Sequence, residues 1–460
     1  MLTISLIVAA CGGGSSVTTT SSSMATVTTV LTDPATCEAP SGPFSHVYVT
    51  ITDVQANVSS TAGANDSGWV DLTPKLSKSP QQIDLLGQAN NQCFLATLGD
   101  AEQLQAGNYQ QIRVILAGNS TTVGNNACSG SANCVVLASD GSVHQLQLSS
   151  ESQTGIKIPS GQISNGGFNI AAGQTENLDI DFSTCESIVQ EGNGKYSLKP
   201  VLHAGEISTT STSINGKILD NTTGNPVNGT VMVAVEQKDA AGIDRVERAT
   251  LAGSDGTFVF CPLPSGTYDV VVVGERSDGA FYQPSIVTGV SVGSTVGNVN
   301  LYAPVAAAGS AAAFNGMVTA ENSSNAGTVA DVEVSMLETI GMSTYTIPLT
   351  PNTAQSSATA SVETGPTSST LTCPTGTDCV DYSLQAPFGA PYVGAWTSGG
   401  TTLTLAATSA IYVVDGNAFV PSSGGSTDCN PTEMKSSAYT LTPGGPTTQA
   451  VATLAFTQCQ

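Results

Sequence analysis

The chain has few charged and few aromatic side chains, and this excludes several classes of function. Only 12 of its 460 residues are Lys or Arg, against 35 Asp or Glu, which gives a formal net charge of −23. Nucleic acids and anionic membrane surfaces both require cationic patches on a protein, so neither is expected as a partner. Aromatic residues make up 5% of the chain, which leaves little material for an exposed aromatic binding platform.

Residues that support catalysis or metal binding are also scarce. The three histidines, at 46, 144 and 203, lie far apart in the sequence, and no two cysteines have the Cys-x-x-Cys spacing. A zinc site and histidine-based catalysis are therefore poorly supported. We expect a protein that is not an enzyme, with no catalytic residue, cofactor or metal. A hydrolase that uses carboxylates alone is the least favoured alternative.

Long apolar runs are missing, so no segment predicts a transmembrane helix. The short apolar run 2–10 is followed by Cys11 and a Gly/Ser-rich stretch, which is typical of the end of a signal peptide. Val8-Ala9-Ala10-Cys11 resembles the bacterial lipobox, although no Lys or Arg precedes the run. The resemblance implies a signal peptide with a lipidated Cys11 over 1–11, a flexible linker over 12–26, and an extracytoplasmic protein of the outer membrane or cell surface that contacts the membrane only through its anchor.

The cysteines fit structural disulfides in an oxidising compartment. There are 11 of them, and lipidation of Cys11 leaves an even number. Short loops predict the pairs Cys128–Cys134 and Cys373–Cys379, and a pair Cys429–Cys459 would fix the C-terminus. We pair Cys37 with Cys93. A bridge between Cys185 and Cys261 would join two predicted domains, and two buried thiols are the alternative.

Short runs with apolar side chains at every second position dominate the chain and predict β-strands. The clearest example is Ser254–Val273, where Phe258 and Phe260 alternate before a Pro-rich turn and Tyr268 and Val270 alternate after it. Asp255-Gly256 permits a tight turn with positive φ, and Gly266 is expected to provide a second one. The fold class predicted is all-β, with tandem antiparallel β-sandwich domains.

Residues 27–208 form the first predicted domain, and four of its segments, 47–54, 104–113, 154–158 and 192–201, resemble the bacterial extracytoplasmic domain of unknown function 4382. In this order they cover most of residues 29–207. The resemblance implies a surface or periplasmic lipoprotein without assigned activity, and it carries over no catalytic residue.

Residues 212–302 resemble the carboxypeptidase regulatory-like domain, a prealbumin-type sandwich grouped with starch-binding-like folds. The matching features are Gly216 in the first strand, Asp255-Gly256 before Phe-x-Phe, and the Leu-Pro-x-Gly-x-Tyr turn. Residues 303–313 are expected to be a linker and 314–460 a C-terminal β domain. Phe314-Asn315-Gly316 echoes Ile214-Asn215-Gly216, so the C-terminal domain is predicted to begin as a divergent copy of the second.

Several residues that suggest chemistry have simpler explanations. Asp179 and Asp181 alternate with apolar residues, so both are expected on a solvent face, where neither is tuned for acid–base work. His46 is expected to pack or lie at a sheet edge. Phe281, Tyr282 and Tyr302 are expected to pack rather than stack on sugars, and Gly192-Asn193-Gly194 is expected to be a hairpin turn.

These observations favour a non-catalytic cell-envelope lipoprotein that acts in extracellular binding or adhesion, with a glycan or a protein as ligand. A purely structural surface spacer is the alternative.

Overall fold

A computed structural model describes residues 24–32, 44–86, 96–148, 155–159, 163, 167–182, 184–190, 195–198, 202–207, 213–261, 263–303, 310–350, 358–420, 428–442 and 444–459. The predicted signal peptide, Cys11 and most of the predicted linker 12–26 lie outside these residues. So do Cys37, Cys93 and the predicted turn at 192–194. The structure is all-β, as the sequence predicts, and its core residues form three main clusters. We call 24–207, 213–303 and 310–459 the first, second and third units.

The first unit contains sixteen described strands and one short helix. They are β1 Met24–Thr32, β2 Phe44–Asn57, β3 Val70–Asp71, β4 Gln81–Asp84, β5 Ala96–Thr97, β6 Glu102–Gln105, β7 Gly107–Tyr109, β8 Gln111–Leu116, β9 Cys134–Leu137, β10 Val143–Leu148, β11 Ile156–Pro159, β12 Phe168–Ile170, β13 Thr175–Phe182, α1 Thr184–Ser187, β14 Ile188–Gln190, β15 Tyr196–Leu198 and β16 Leu202–Ile207.

Two main sheets enclose the apolar core of the first unit. One has the order β16-β13-β1-β5, with β6 also paired to β1, and the other has the order β11-β8-β2-β9-β10-β15-β14, with β3 and β4 paired to β2. The long strand β2 buries alternate apolar residues on either side of a β-bulge, first Val47, Val49 and Ile51 and then Val54 and Ala56, because its apolar side chains face the core. β1 begins three residues before the predicted start of this domain.

The second and third units follow with nineteen described strands. They are β17 Ile214–Asp220, β18 Gly229–Lys238, β19 Ile243–Leu251, β20 Thr257–Phe260, β21 Thr267–Arg276, β22 Ser285–Ser291, β23 Thr295–Leu301, β24 Ala311–Asn322, β25 Asp331–Ile340, β26 Ser343–Thr346, β27 Ala360–Glu363, β28 Asp378–Pro387, β29 Tyr392–Ala395, β30 Thr404–Leu405, β31 Ala410–Phe419, β32 Asp428–Lys435, β33 Tyr439–Leu441, β34 Thr448–Ala450 and β35 Leu454–Cys459.

One continuous sheet runs through both of these units, in the order β30-β29-β22-β21-β18-β19-β26-β25-β31-β32. Two parallel pairings join the units: β19 with β26, and β22 with β29. The smaller sheets β20-β17-β23 and β28-β24-β34 complete the two sandwiches, with β35 also paired to β24. The third core includes Val271 and Val273 from β21, so the two units also share apolar packing.

The second and third units have the same strand order, which supports the predicted divergent repeat. In the second, β17 lies between antiparallel β20 and parallel β23; in the third, β24 lies between antiparallel β28 and the parallel strands β34 and β35. In the larger sheet, β18 lies between β19 and β21, as β25 lies between β26 and β31.

An aromatic ring covers a glycine at the same place in both repeats. Gly216 faces Phe258 across the β17–β20 pair, and Gly316 faces Tyr382 across the β24–β28 pair. A Cβ at Gly216 would lie 2.8 Å from the Phe258 ring, and one at Gly316 would overlap the Tyr382 side chain. The Asn-Gly echo in the sequence therefore marks a shared packing contact.

The structure corrects three details of the sequence prediction. The sheets are mixed rather than purely antiparallel, because the first strand of each unit lies beside a late strand that runs in the same direction. The sequence of 94–104 predicts a brief helical turn at most, whereas Ala96–Thr97 and Glu102–Gln105 form β5 and β6. The last three residues of the predicted linker 303–313 belong to β24.

The strand–turn–strand stretch is formed by β20 and β21, and one of its two turn glycines differs from expectation. Gly256 has a φ of 82°, as predicted for the Asp255-Gly256 turn, where the Asp255 carboxylate accepts a hydrogen bond from the Thr257 N–H. The expectation of positive φ at Gly266 is wrong, since Gly266 is not among the positive-φ glycines. The hydroxyl of Tyr268 instead bonds to the carbonyl of Pro264 at 3.0 Å and fixes the second turn.

Gly256→Ala should destabilise the second unit more than Gly279→Ala. Both positions have φ near 80°, so both variants pay the cost of a left-handed backbone, about 1–2 kcal/mol. A Cβ at Gly256 would additionally overlap the carbonyl oxygen of Ile218, whereas no heavy atom lies within 4 Å of one at Gly279. Thermal unfolding midpoints measure the difference; equal midpoints for the two variants would contradict the turn described.

Candidate functional site

Asp179 and Asp181 lie at the junction between the first and second units. Both side chains are 2% exposed, so the expectation that they face solvent is wrong. Their strand β13 alternates as predicted, but its second face is covered because residues of β19 pack against it. The two carboxylates are therefore buried, and they contribute to the contact between the first and second units instead of facing solvent.

Arg248 of β19 holds both carboxylates. Its guanidinium forms an ion pair with Asp179 and lies 3.5 Å from Asp181, and it is itself buried. The hydroxyl of Thr32 in β1 donates to Asp179 at 2.9 Å. Burial raises the pKa of Asp179 to about 6, against the opposing effect of Arg248, and it also raises the pKa of Asp181. Paired carboxylates that share one arginine are held in place rather than free to transfer protons.

A small pocket adjoins this cluster, lined by Glu247, Leu263, Pro264 and Tyr268 in addition to the ion pair. Leu263, Pro264 and Tyr268 belong to the strand–turn–strand stretch, so that stretch contributes directly to the junction. Cys261, in the same turn, is disulfide-bonded, which excludes the free buried thiol for this residue.

A second ionic cluster joins the second and third units. Arg245, also in β19, donates to Asp239 of its own unit at 3.0 Å and to Glu433 of β32 at 2.6 Å. It also forms an ion pair with Asp415 of β31, whose side chain is fully buried. Lys435 lies 2.7 Å from Glu433 and completes the cluster.

Sequence reasoning missed both arginines, although a signal was present. Asp244-Arg245-Val246-Glu247-Arg248 has four charged residues in five, in a chain with 10% charged residues. Such a run inside an alternating strand indicates that both faces of the strand have polar partners.

Segments quoted for the resemblance of the first unit meet around one loop. Arg113 of β8 donates to the side chain of Gln55 in β2 at 2.8 Å and to the carbonyl of Ala64 at 2.7 Å. Its guanidinium lies 4.1 Å from the centre of the Trp69 ring, a cation–π contact. Lys157 of β11 donates to the carbonyl of Ala62. These contacts fix the loop 58–69 on the sheet.

The other residues singled out from the sequence have structural contacts. His46 lies 2.7 Å from Asp84 and stacks with Tyr48. Phe281 and Tyr282 are buried, and Tyr302 stacks on Tyr392 with ring centres 3.5 Å apart. Residues 289–293 have the Gly-x-Ser-x-Gly spacing, but they join β22 to β23, and a nucleophile elbow requires a strand followed by a helix.

In addition to the disulfide of Cys261, the described residues include the pairs Cys128–Cys134, Cys373–Cys379 and Cys429–Cys459. All three of these pairs are predicted from the sequence, Cys128–Cys134 and Cys373–Cys379 from their short loops and Cys429–Cys459 as a bridge that fixes the C-terminus. Within the described ranges, no three His, Cys, Asp or Glu side chains are grouped to hold a metal ion. In the same part of the chain, no helix has the length and apolarity needed to cross a membrane.

Comparison with known families finds a Domain of unknown function (DUF4382) over residues 24–200, which confirms the resemblance of the first unit. No curated protein matches the chain.

Among solved structures, the Bacillus anthracis TIE protein is 9% identical over 95% of this chain and 51% of its own, with a TM-score of 0.17. This chain thus spans about half the length of that protein. A Streptococcal ancillary pilin is 10% identical over 93% of this chain and 98% of its own, with a TM-score of 0.17. A putative adhesin from Bacteroides ovatus is 12% identical over 49% and 82%, also with a TM-score of 0.17. At these TM-scores the likeness does not extend to function.

Arg248→Met should lower the free energy of unfolding by about 3–5 kcal/mol, because it leaves two buried carboxylates without their cation. Arg276→Met is the matched control, since its ion pair with Asp278 is exposed and should be worth less than about 1 kcal/mol. Urea unfolding followed by circular dichroism measures both. Equal effects would contradict the junction, and Asp179→Asn with Asp181→Asn should restore part of the loss.

Glu338 should make the free energy of unfolding fall as the pH rises. Burial raises its pKa to about 8 from 4.5, and its Oε2 has no hydrogen-bond partner among the described residues. Between these values the folded state holds the proton and the unfolded state does not. The contribution of Glu338 to the free energy of unfolding is therefore greatest below pH 4.5 and falls through the window by about 1.4 kcal/mol per pH unit.

Glu338→Gln removes this proton and should flatten the dependence of the thermal midpoint on pH between 5 and 8. Glu333→Gln, on the same strand but only partly buried, should keep the slope of the parent chain. Parallel slopes for all three proteins would refute the assignment to Glu338.

Proposed function

We propose that this protein is a non-catalytic, lipid-anchored component of the bacterial cell envelope that acts in extracellular binding or adhesion. In this proposal Cys11 carries the lipid, and residues that follow it separate the units from the membrane. The three units then form an arm that offers a binding surface to a glycan or a protein outside the cell.

The observation that carries the proposal is that ion pairs and strand pairing, and not linkers alone, hold the units together. Arg248 connects the first unit to the second, and Arg245 together with the β19–β26 pairing connects the second to the third. An arm with coupled units transmits load and keeps its far end at a defined distance from its anchor. The same observation favours the alternative function, a structural spacer without a ligand.

The carboxylates that would serve a hydrolase support the non-catalytic assignment. Asp179 and Asp181 bind Arg248, and Asp415 binds Arg245, so each has a cationic partner and a structural role. Retaining and inverting hydrolases instead need two carboxylates of different protonation that face a substrate cleft.

The proposal also assigns a domain type to the second unit. Its strand order and the Asp255-Gly256 turn support a domain of the carboxypeptidase regulatory-like type, a sandwich that accompanies or presents another activity. Sugar binding by this unit would need an exposed aromatic face, whereas Phe281 and Tyr282 are buried in it.

Cells that express the chain should incorporate radiolabelled palmitate, and Cys11→Ser should abolish the label. Ser15→Ala, in the adjacent Gly/Ser stretch, is the control and should label normally. Label that persists in the Cys11→Ser protein would contradict the proposed lipid anchor at Cys11.

Two experiments with the soluble Cys11→Ser chain distinguish the adhesion function from the structural spacer. They are arrays of plant, fungal and bacterial polysaccharides, and protein pull-downs. Saturable binding to a defined glycan or protein supports the adhesion function. Negative results across all of them would favour the structural spacer.

A further inference from the structure

Strand β28 forms a long edge in the third unit. It extends over 10 residues and pairs along its whole length with β24. On its other side, among the described residues, only Gly365 bonds to it, through the N–H and C=O of Cys379. The rest of that side has no strand beside it in the part of the chain that the structure describes.

The bonds at Cys379 show which backbone groups face the open side. In an antiparallel pair, residues whose N–H and C=O bond to the neighbour alternate with residues whose groups point away. Because Cys379 bonds to Gly365, the groups of Asp381, Ser383 and Gln385 point in the same direction, away from β24. Each of these residues offers one donor and one acceptor, and the side chains of all three are exposed.

The corresponding edge in the second unit is much shorter. Strand β20 takes the place of β28 in the repeat, but it has only 4 residues and is followed by Pro262 and Pro264, which have no N–H to donate. Strand β28 has no proline before Pro387 and no Lys or Arg. It therefore lacks the prolines and cationic side chains that commonly keep a free edge from pairing.

We propose that β28 pairs with β28 of a second copy of this chain, antiparallel, with the two-fold axis at Ser383. In this register Ser383 faces its own symmetry mate, and Asp381 faces Gln385 of the other copy in both directions. All three residues then exchange their backbone hydrogen bonds, and the carboxylate meets an amide instead of a second carboxylate. A register centred on Asp381 would place two negative charges opposite each other, which is unfavourable.

The chain already joins strand edges between its own repeats, there in parallel orientation. Strand β19 pairs with β26, and β22 pairs with β29, so both edges of the second unit's part of the large sheet are extended by strands of the third unit. In the smaller sheet of the third unit, β28 is the strand edge that is free to pair. A closed two-fold pairing uses its backbone hydrogen-bonding groups without forming an open fibre. The dimer is independent of the proposed anchor and ligand.

Cysteine cross-linking tests the register in the full chain carrying Cys11→Ser. Residues directly opposite in a hydrogen-bonded pair have Cα atoms about 5.5 Å apart, within the range of a disulfide. Ser383→Cys should therefore give a covalent dimer on a non-reducing gel after mild oxidation. Gln385→Cys, which would face Asp381 and not a second cysteine, should give no covalent dimer on the same gel. Equal cross-linking of both variants, or of neither, overturns the register.

Sedimentation equilibrium in 0.15 M salt tests the pairing itself. Ser383→Pro removes the N–H on the open side together with the hydroxyl that donates to Asn315, and it should weaken the dimer at least tenfold. Ser383→Ala loses the same hydroxyl but keeps the N–H, so it should dimerise as the parent does. Gln385→Lys places an ammonium opposite Asp381 and should tighten the dimer. A parent chain that remains monomeric at 100 µM, or a dimer unaffected by Ser383→Pro, overturns the proposal.

Discussion

Two arginines on one strand hold the three units together. Arg248 and Arg245 lie three residues apart on β19 and bind carboxylates of different neighbouring units. In a chain with 12 cationic residues, placing two of them at inter-unit contacts is a large share of the available positive charge. Arg248 meets two buried carboxylates and Arg245 meets one, so loss of either cation would leave a buried anion without its main counter-charge, and the arrangement of units would be less favourable.

Local features were predictable from the sequence because their cause is local. Alternating Phe258 and Phe260, the Asp255-Gly256 turn and the loops closed by Cys128–Cys134 and Cys373–Cys379 depend on neighbouring residues only. The Asn-Gly echo between Gly216 and Gly316 also identified the repeat, since the same aromatic contact requires the same small residue.

Contacts between units were not predictable, and the misassigned acidic pair shows why. Alternation assigns Asp179 and Asp181 to one face of β13, but it contains no information on whether a second unit covers that face. Parallel neighbours such as β1 with β13, or β17 with β23, are likewise set by long-range topology. The charged run at 244–248 was the one local sign of a buried polar junction, and its meaning depends on partners far away in the sequence.

The parallel pairing of first and late strands has a mechanical consequence. In the second unit, β17 enters and β23 leaves as parallel neighbours joined over most of their length, and in the third unit β24 pairs in parallel with β35. A force that pulls the two ends of such a unit apart acts along these strands, so their hydrogen bonds are loaded together in shear instead of opening one after another. The second and third units would thus resist tension as clamps, which suits the proposed role of the units as an arm under load.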